Sequence, residues 1–425
     1  MNGFSHPDDG SGMSRPGVGS LESLRAQNRG RVIGVLRAAG PVSRAEIARR
    51  TGLSRSTISS LVADLHSVGL VTEVDGDRSA PSEQGGRPPV LIALDRSAGA
   101  AVGVDFGHRH LRVAVSDLGH HVLAEATDEL DVDRDADRGL DSAARLVEQV
   151  LDEADVCRDR VIGVGMGLPG PIDRRTGMVG ASALLPGWVG ICAAEELRGR
   201  LDLDVAVDND ANLGGLAEWM WGAGQGSGLL AYIKAATGIG AGLVLGGRPY
   251  AGASGTAGEI GHTTIVSGGP VCACGNRGCL EMVAGGPAIL ELLRPRFDNG
   301  LTLRQVVRLA VEGDPGCQRV VADAGRSIGI AVANLCNLIN PELIVVGGEL
   351  SLAGDLLLNP VREVVWRSAI RSAAETARIV PGVLGERAEL LGALALVLGD
   401  SDRFISSRIN LVTGGSETLE TMPGR

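Results

Sequence analysis

GEIGHTTIVSGGPVCACGNRGCLE, residues Gly258 to Glu281, brings His262, Cys272, Cys274 and Cys279 together as His-x9-Cys-x-Cys-x4-Cys. Zinc takes four such ligands tetrahedrally, and a shell completed by protein has no open position for water, so the spacing predicts a structural rather than a catalytic zinc. A zinc-dependent hydrolase is disfavoured for the same reason. Buried free thiols are the competing reading, and three cysteines within eight residues argue against it. Cys157, Cys192, Cys317 and Cys336 have no such neighbours and are expected in the core.

Around this loop the chain reads as α/β. AAVGVDFG, LRVAVSDL and HVLAEA, beginning at Ala100, form a three-strand meander, followed by the helical DSAARLVEQVLDEA and the apolar strand VIGVGMGLPG. A second hairpin, LLAYIKAATGIGAGLVLGG, repeats the two-strand pattern, and the pair suggests a duplicated lobe. Its turn residues Thr237, Gly238, Gly240 and Gly242 are candidates for a backbone phosphate cradle, although any tight turn recruits glycine. Asp105, ending the first strand, either holds a hydrated magnesium ion or orders the turn. In VAVDNDANLGGLAEW, Asn209 and Asp210 fall where a strand hands over to a helix, the usual ligand edge of α/β domains. Asp210 there would accept the proton of an attacking hydroxyl, while Asn209, Glu259 and Glu281 would bind vicinal hydroxyls. Helix capping is the competing role for Asp210.

The front of the chain follows a different pattern. LESLRAQNRGRVIGVLRAAG has helical spacing and stops at Gly40-Pro41. Ser43, with Glu46 three residues on, opens a second helix in capping-box fashion. Ser54 caps a third, in which Ile58, Leu61, Leu65 and Val68 share one face. Arg44, Arg55, Ser56, Thr57, Ser59 and Ser60 lie at or near helix starts, where free amides meet phosphates and short hydroxyl side chains reach base edges. LVTEV and GGRPPVLIAL make the strands of a wing, with Arg87 at a slim tip suited to a minor groove. A winged helix-turn-helix for double-stranded DNA is predicted; a small helical packing or dimerisation module is the alternative.

Charge follows the same division. The chain of 425 residues carries a formal −11, yet residues 21–89 hold 10 Arg against 7 Asp and Glu. Aromatics are only 2%, which disfavours single-strand readers built on stacked rings. Lys234 is the only lysine, and with 63 Gly it reads as genome composition bias. No apolar run approaches membrane-helix length and no signal-peptide core is present, so a cytoplasmic protein is expected. Segments 1–20 and 400–425 read as disordered or flexible tails.

These motifs together resemble the ROK family (repressors, open reading frames and kinases). GLPGPID, VDNDAN, GASGTAGEIGH, CACGNRGCLE and NPELIVVGGEL carry the resemblance from Leu21 to about Gly399. It implies an α/β, actin-like (ribonuclease H-like) two-lobed sugar-kinase fold behind a winged helix-turn-helix at 21–95, with lobes at 99–215 and 216–399. The structural zinc falls in the second lobe, and a C-terminal helix packs back on the first. It further implies sugar contacts at Asn209, Asp210, Glu259, His262 and Glu281, a loop over the sugar starting at Gly167, Asp210 as catalytic base, phosphate motifs at Asp105 and at Thr237, Gly238 and Gly240, and Gly347 and Gly348 near an adenosine. The first phosphate turn, however, reads Asp105-Phe106-Gly107-His108-Arg109-His110 where family kinases have DxGGTK, and AATG replaces a Gly before Thr237. The sugar half looks intact and the ATP half eroded. The expectation is a repressor similar to xylose and N-acetylglucosamine regulators, a homodimer or tetramer on palindromic operator DNA, sensing a sugar or sugar phosphate. The alternative is an ATP- and magnesium-dependent hexose kinase, possessing DNA binding or not.

Overall fold

Val-, Ile- and Ala-rich runs opened by a hairpin occur twice in the body of the chain, and each builds a five-stranded sheet. The computed structural model describes residues 21–75, 90–131, 133–173, 175–180, 185–297 and 300–399. These fall into two units that divide between Asp95 and Arg96.

In the first unit, α1 (Leu21–Ala39) is followed by β1 (Val42–Ser43), α2 (Arg44–Thr51), α3 (Arg55–Ser67), β2 (Val71–Asp75) and β3 (Val90–Leu94). The chain leaves α1 through Gly40, whose φ of 68° suits glycine. Ser43 caps α2 by accepting from the Glu46 amide at 3.3 Å. The expected capping box is only half made, because Glu46 turns its carboxylate to Arg49 and Arg50. Ser54 caps α3 from the Thr57 amide at 3.1 Å. Ile58, Leu61, Val62 and Leu65 bury one face of α3, and Val32, Ile33, Leu36 and Ile47 are buried with them. The sheet runs β1-β3-β2, with β2 and β3 antiparallel from Val71↔Leu94 to Asp75↔Val90. Residues 76–89, Arg87 among them, lie outside the described residues, as do 1–20 and 400–425.

The second unit begins with β4 (Ala100–Phe106), β5 (Leu111–Asp117), β6 (Val122–Asp128), α4 (Ala136–Glu153), β7 (Val161–Leu168), α5 (Ala193–Leu201) and β8 (Val205–Asn209). It continues through α6 (Asp210–Trp221), β9 (Leu229–Ala235), β10 (Ile239–Leu245), β11 (Arg248–Pro249), α7 (Glu281–Ala284), α8 (Gly286–Leu293), α9 (Leu303–Val311) and α10 (Pro315–Ile339). β12 (Leu343–Gly347), α11 (Asp355–Ser368), α12 (Arg371–Thr376), β13 (Arg378–Pro381) and α13 (Ala388–Gly399) complete it. One sheet has the order β6-β5-β4-β7-β8 and the other β11-β10-β9-β12-β13. In both, three antiparallel strands of a meander are extended by two parallel ones. The two sheets therefore share one topology, although their sequences share little.

Helices α6 and α13 join the halves. α6 leaves the first sheet at β8 and packs on β9 and β10 of the second, while α13 covers β4 and β7. Glycines allow this close approach: a Cβ at Gly392 would overlap the Leu213 carbonyl, and one at Gly165 the Ala393 carbonyl. Glu218 of α6, 1% exposed, accepts from the amides of Ala223, Val383 and Leu384 at 2.8 to 3.0 Å, which fixes the approach to α13. Gly392→Ala should therefore destabilise the body by about 1–3 kcal/mol in urea or thermal unfolding. Gly199→Ala, on an open face of α5, should be neutral or stabilising by up to about 1 kcal/mol.

Candidate functional site

The handover from β8 to α6 leaves the first amides of α6 without helical partners, and Asn209 supplies the cap. Its Oδ1 accepts from the Ala211 and Asn212 amides at 2.9 and 3.4 Å, and its Nδ2 donates to the Gly170 carbonyl at 3.0 Å. Capping thus falls to Asn209, and Asp210 is the first helical residue, 8% exposed, its Oδ1 accepting from the Ala211 amide at 2.7 Å. Gly167 lies within β7, paired with Asp105 and Asp208, and Leu213 packs against it. Gly170, three residues further along the loop expected to start at Gly167, is the residue whose carbonyl meets Asn209.

Glu259 and His262 lie across this edge, with His262 Nε2 3.8 Å from Glu259 Oε2. Burial pushes the Glu259 carboxyl up, His262 opposes this, and the nearby Asp210 and Glu281 carboxylates add to it. Acceptors and an imidazole thus converge as polyol recognition requires. Glu281 opens α7 and accepts from the Ile239 amide at 3.2 Å, tying the pocket to the second hairpin turn.

The other face of His262 meets the cysteines. The ligand atoms of His262, Cys272, Cys274 and Cys279 all lie within 4.8 Å of one another. His262 Nδ1 is 3.6 Å from Cys272 Sγ, and Cys274 Sγ is 3.7 Å from Cys279 Sγ. A tetrahedral shell with zinc–sulfur bonds of about 2.3 Å places sulfurs about 3.8 Å apart, whereas a disulfide needs about 2.05 Å. The set fits a metal held by four protein ligands, with Glu259 behind the histidine as an outer carboxylate. Of the other cysteines, Cys317 and Cys336 are buried; Cys157 is exposed and Cys192 half-buried, contrary to the expectation of a core position. Each of these two adjoins a short helix start at the surface rather than a strand.

The phosphate side is built differently. Lys234, at the end of β9, puts its ammonium 2.8 Å from Asp210 Oδ2 and 3.3 Å from Glu389 Oε1. Burial alone would depress its pKa, but Asp210, Glu389 and Asp105 outweigh that and hold it above the ordinary lysine value. Glu389, 6% exposed, also accepts from the Tyr232 hydroxyl at 3.4 Å. The only lysine of the chain is therefore the centre of the cleft, not a by-product of composition. Sequence reasoning missed Lys234, Tyr232 and Glu389, and the available signal was a lone acid inside the apolar AELLGALALVLG.

At the first turn, His110 Nε2 lies 3.2 Å from Asp105 Oδ2, and its ring covers the face of Gly107. Asp105 orders the turn, and the Gly107 amide donates to the His110 carbonyl at 2.9 Å. His108 Nδ1 is 2.9 Å from Asp133 Oδ1, and Arg109 is exposed. At the second turn, the Ala236 amide is taken by the Gly238 carbonyl, and Gly286 donates to the carbonyls of Ala236 and Thr237. Gly240 pairs with Lys234 across the hairpin. Gly347 packs on the Tyr232 ring, and Gly348, at φ 80°, on the Ala235 carbonyl. Arg304 pairs with Glu386 and lies 3.7 Å from Glu349, and Arg112 lies 3.1 Å from Glu386, so a chain of ion pairs runs from β5 to α9.

In the N-terminal unit, Ser54, Arg55, Ser56 and Ser59 are exposed and Thr57 half-buried at the start of α3. Ser54 Oγ also bonds Ser56 and Thr57 hydroxyls at 2.9 and 2.8 Å, which orders this face. Ser43 is engaged as a cap, and Arg44 pairs with Glu73 of β2 at 2.6 Å.

Comparison with known proteins agrees with this architecture. Residues 101–400 match the ROK family and residues 27–78 the MarR family. The chain is 32% identical to a putative xylose repressor of Caldicellulosiruptor sp. (strain Rt8B.4) over 84% of its length and 92% of that protein. It is also 32% identical to a glucokinase of Thermotoga maritima over 70% of its length and 96% of that protein. A solved ROK family transcriptional regulator, a homologue of the E. coli MLC protein, superposes with a TM-score of 0.76 at 27% identity, covering 92% of this chain and 100% of that one. With its two sheets of one topology, its Asn209–Asp210 edge and a helix-turn-helix in front, the chain belongs to the ROK family.

Proposed function

We propose that the chain is a DNA-binding transcriptional repressor of carbohydrate metabolism whose kinase-like body senses a sugar or sugar phosphate. The observation that carries this reading is an exposed, capped α3 start, rich in hydroxyls with Arg55, ahead of a body whose sugar-facing groups converge. α3 enters a major groove of double-stranded operator DNA, and Arg87 enters the neighbouring minor groove. A homodimer or tetramer presents two heads to a palindromic site. Asn209, Asp210, Glu259, His262 and Glu281 bind the sugar hydroxyls, and binding alters DNA affinity because the sugar prefers one arrangement of the lobes. Zinc at His262, Cys272, Cys274 and Cys279 would be structural, holding His262 toward the pocket. No helix among the described residues is long and apolar enough to cross a membrane.

The second reading, an ATP-dependent hexose kinase with Asp210 as base, is favoured by the placement of Asp210 beside Asn209 and Glu259. Against it stands Lys234: Asp210 Oδ2 already accepts from an ammonium, and the first turn is covered by His110. Asp105 is paired with His110, and the amides of Gly107, Ala236 and Ile239 are taken within the chain, which weighs against magnesium and ATP in this half.

Three measurements check these assignments. Gel shifts with genomic fragments should reveal salt-sensitive, sequence-preferring binding that a sugar panel modulates, and Arg55→Ala should weaken it by about 1–3 kcal/mol; binding indifferent to sequence and salt contradicts the regulator. Coupled ADP release over hexoses should show no sugar-dependent turnover, whereas turnover abolished by Asp210→Asn restores the kinase. Metal analysis should give about one zinc per chain, with Cys274→Ser losing it and lowering the melting temperature.

A further inference from the structure

Three buried carboxylates from three elements face one cation on a fourth. Asp105 is the penultimate residue of β4, Asp210 starts α6 and Glu389 lies in the first turn of α13; they are 2%, 8% and 6% exposed. Lys234 reaches them from β9, where it is fixed on both sides by pairing with Gly240 and Gly347. Three carboxylates drawn together from separate elements repel one another, and they are tolerated when a cation lies among them. A hard divalent ion would satisfy that need with oxygen ligands. Here an amino-acid side chain supplies the positive charge: the Lys234 ammonium contacts Asp210 and Glu389, and Asp105, whose Oδ2 lies 3.2 Å from His110 Nε2, feels it through space. Around this point further groups are engaged within the chain: the Ile239 amide donates to Glu281, and the Tyr232 ring packs against Gly347.

We infer that the Lys234 ammonium is the resident counter-ion of this cleft, standing where a divalent cation would otherwise sit among Asp105, Asp210 and Glu389, so that the body works without metal or nucleotide in its phosphate half. Lysine is suited to this because it is a compact point charge on a long stem, unlike the planar arginines used everywhere else in the chain. The inference deepens the reading of the body as a sugar sensor, but its main test does not require any sugar to bind.

Zinc-loaded full-length protein is titrated with Mn2+, free ion being followed by electron paramagnetic resonance. The wild type should bind no Mn2+ in the cleft below millimolar concentration. Lys234→Met should bind one Mn2+ per chain at least tenfold more tightly. Should that variant fail to fold, Lys234→Met/Glu389→Gln, which removes one charge of each sign, decides in its place and should bind one Mn2+ between Asp105 and Asp210. Equal Mn2+ affinity in wild type and variant, or no binding in any folded variant, overturns the inference. In parallel, magnesium with a non-hydrolysable ATP analogue should leave the wild-type melting temperature unchanged, and a rise of several degrees counts against it. If no sugar in a panel shifts the melting temperature, the sensor reading fails while the Mn2+ result stands on its own.

Discussion

The Lys234 ammonium lies 2.8 Å from Asp210 and 3.3 Å from Glu389, and the elements bearing these groups are the ones that join the two sheets. β9 belongs to the second sheet, α6 grows from the first and packs on the second, and α13 closes over the first. Removing the ammonium would leave uncompensated carboxylates in a buried place, a defect that typically costs several kcal/mol. The same contact engages Asp210 Oδ2, while Oδ1 accepts from the Ala211 amide. One ion-paired cluster therefore constrains both the junction of the lobes and the chemistry available to the cleft.

The proposed sugar and phosphate sides of the site differ in kind. On the proposed sugar side, Asn209 is aligned by capping α6, and Glu259 and His262 are aligned by the cysteine-bearing loop, so these groups stand on rigid supports. On the proposed phosphate side, side chains lie against the turn and strand glycines. His110 over Gly107 and Tyr232 under Gly347 are bulky groups at positions where glycine permits close approach. Under the proposed function, such a body would recognise a sugar without turning it over.

Much of this was legible in the sequence because it depends on local pattern. Helix caps at Ser43 and Ser54, the hairpins around residues 107–110 and 236–238, and the ligand spacing from His262 to Cys279 each rest on residues close in the chain. The cluster was not legible, because Lys234 is 24 residues from Asp210, and Tyr232 is 157 from Glu389. No periodicity joins them; only the duplicated topology does. Glu46 departs from its local motif for a related reason: Arg49 and Arg50 take the carboxylate that a capping box would return to the Ser43 amide.

The account stands most directly on whether sugar alone is a sufficient signal. Fluorescence anisotropy of labelled operator DNA bound to the full-length protein, titrated with its sugar in buffer free of nucleotide and of added magnesium, measures this. The account predicts a shift in DNA affinity of the same size and midpoint as when magnesium and ATP are present. A sugar response that appears only with magnesium and ATP would contradict it.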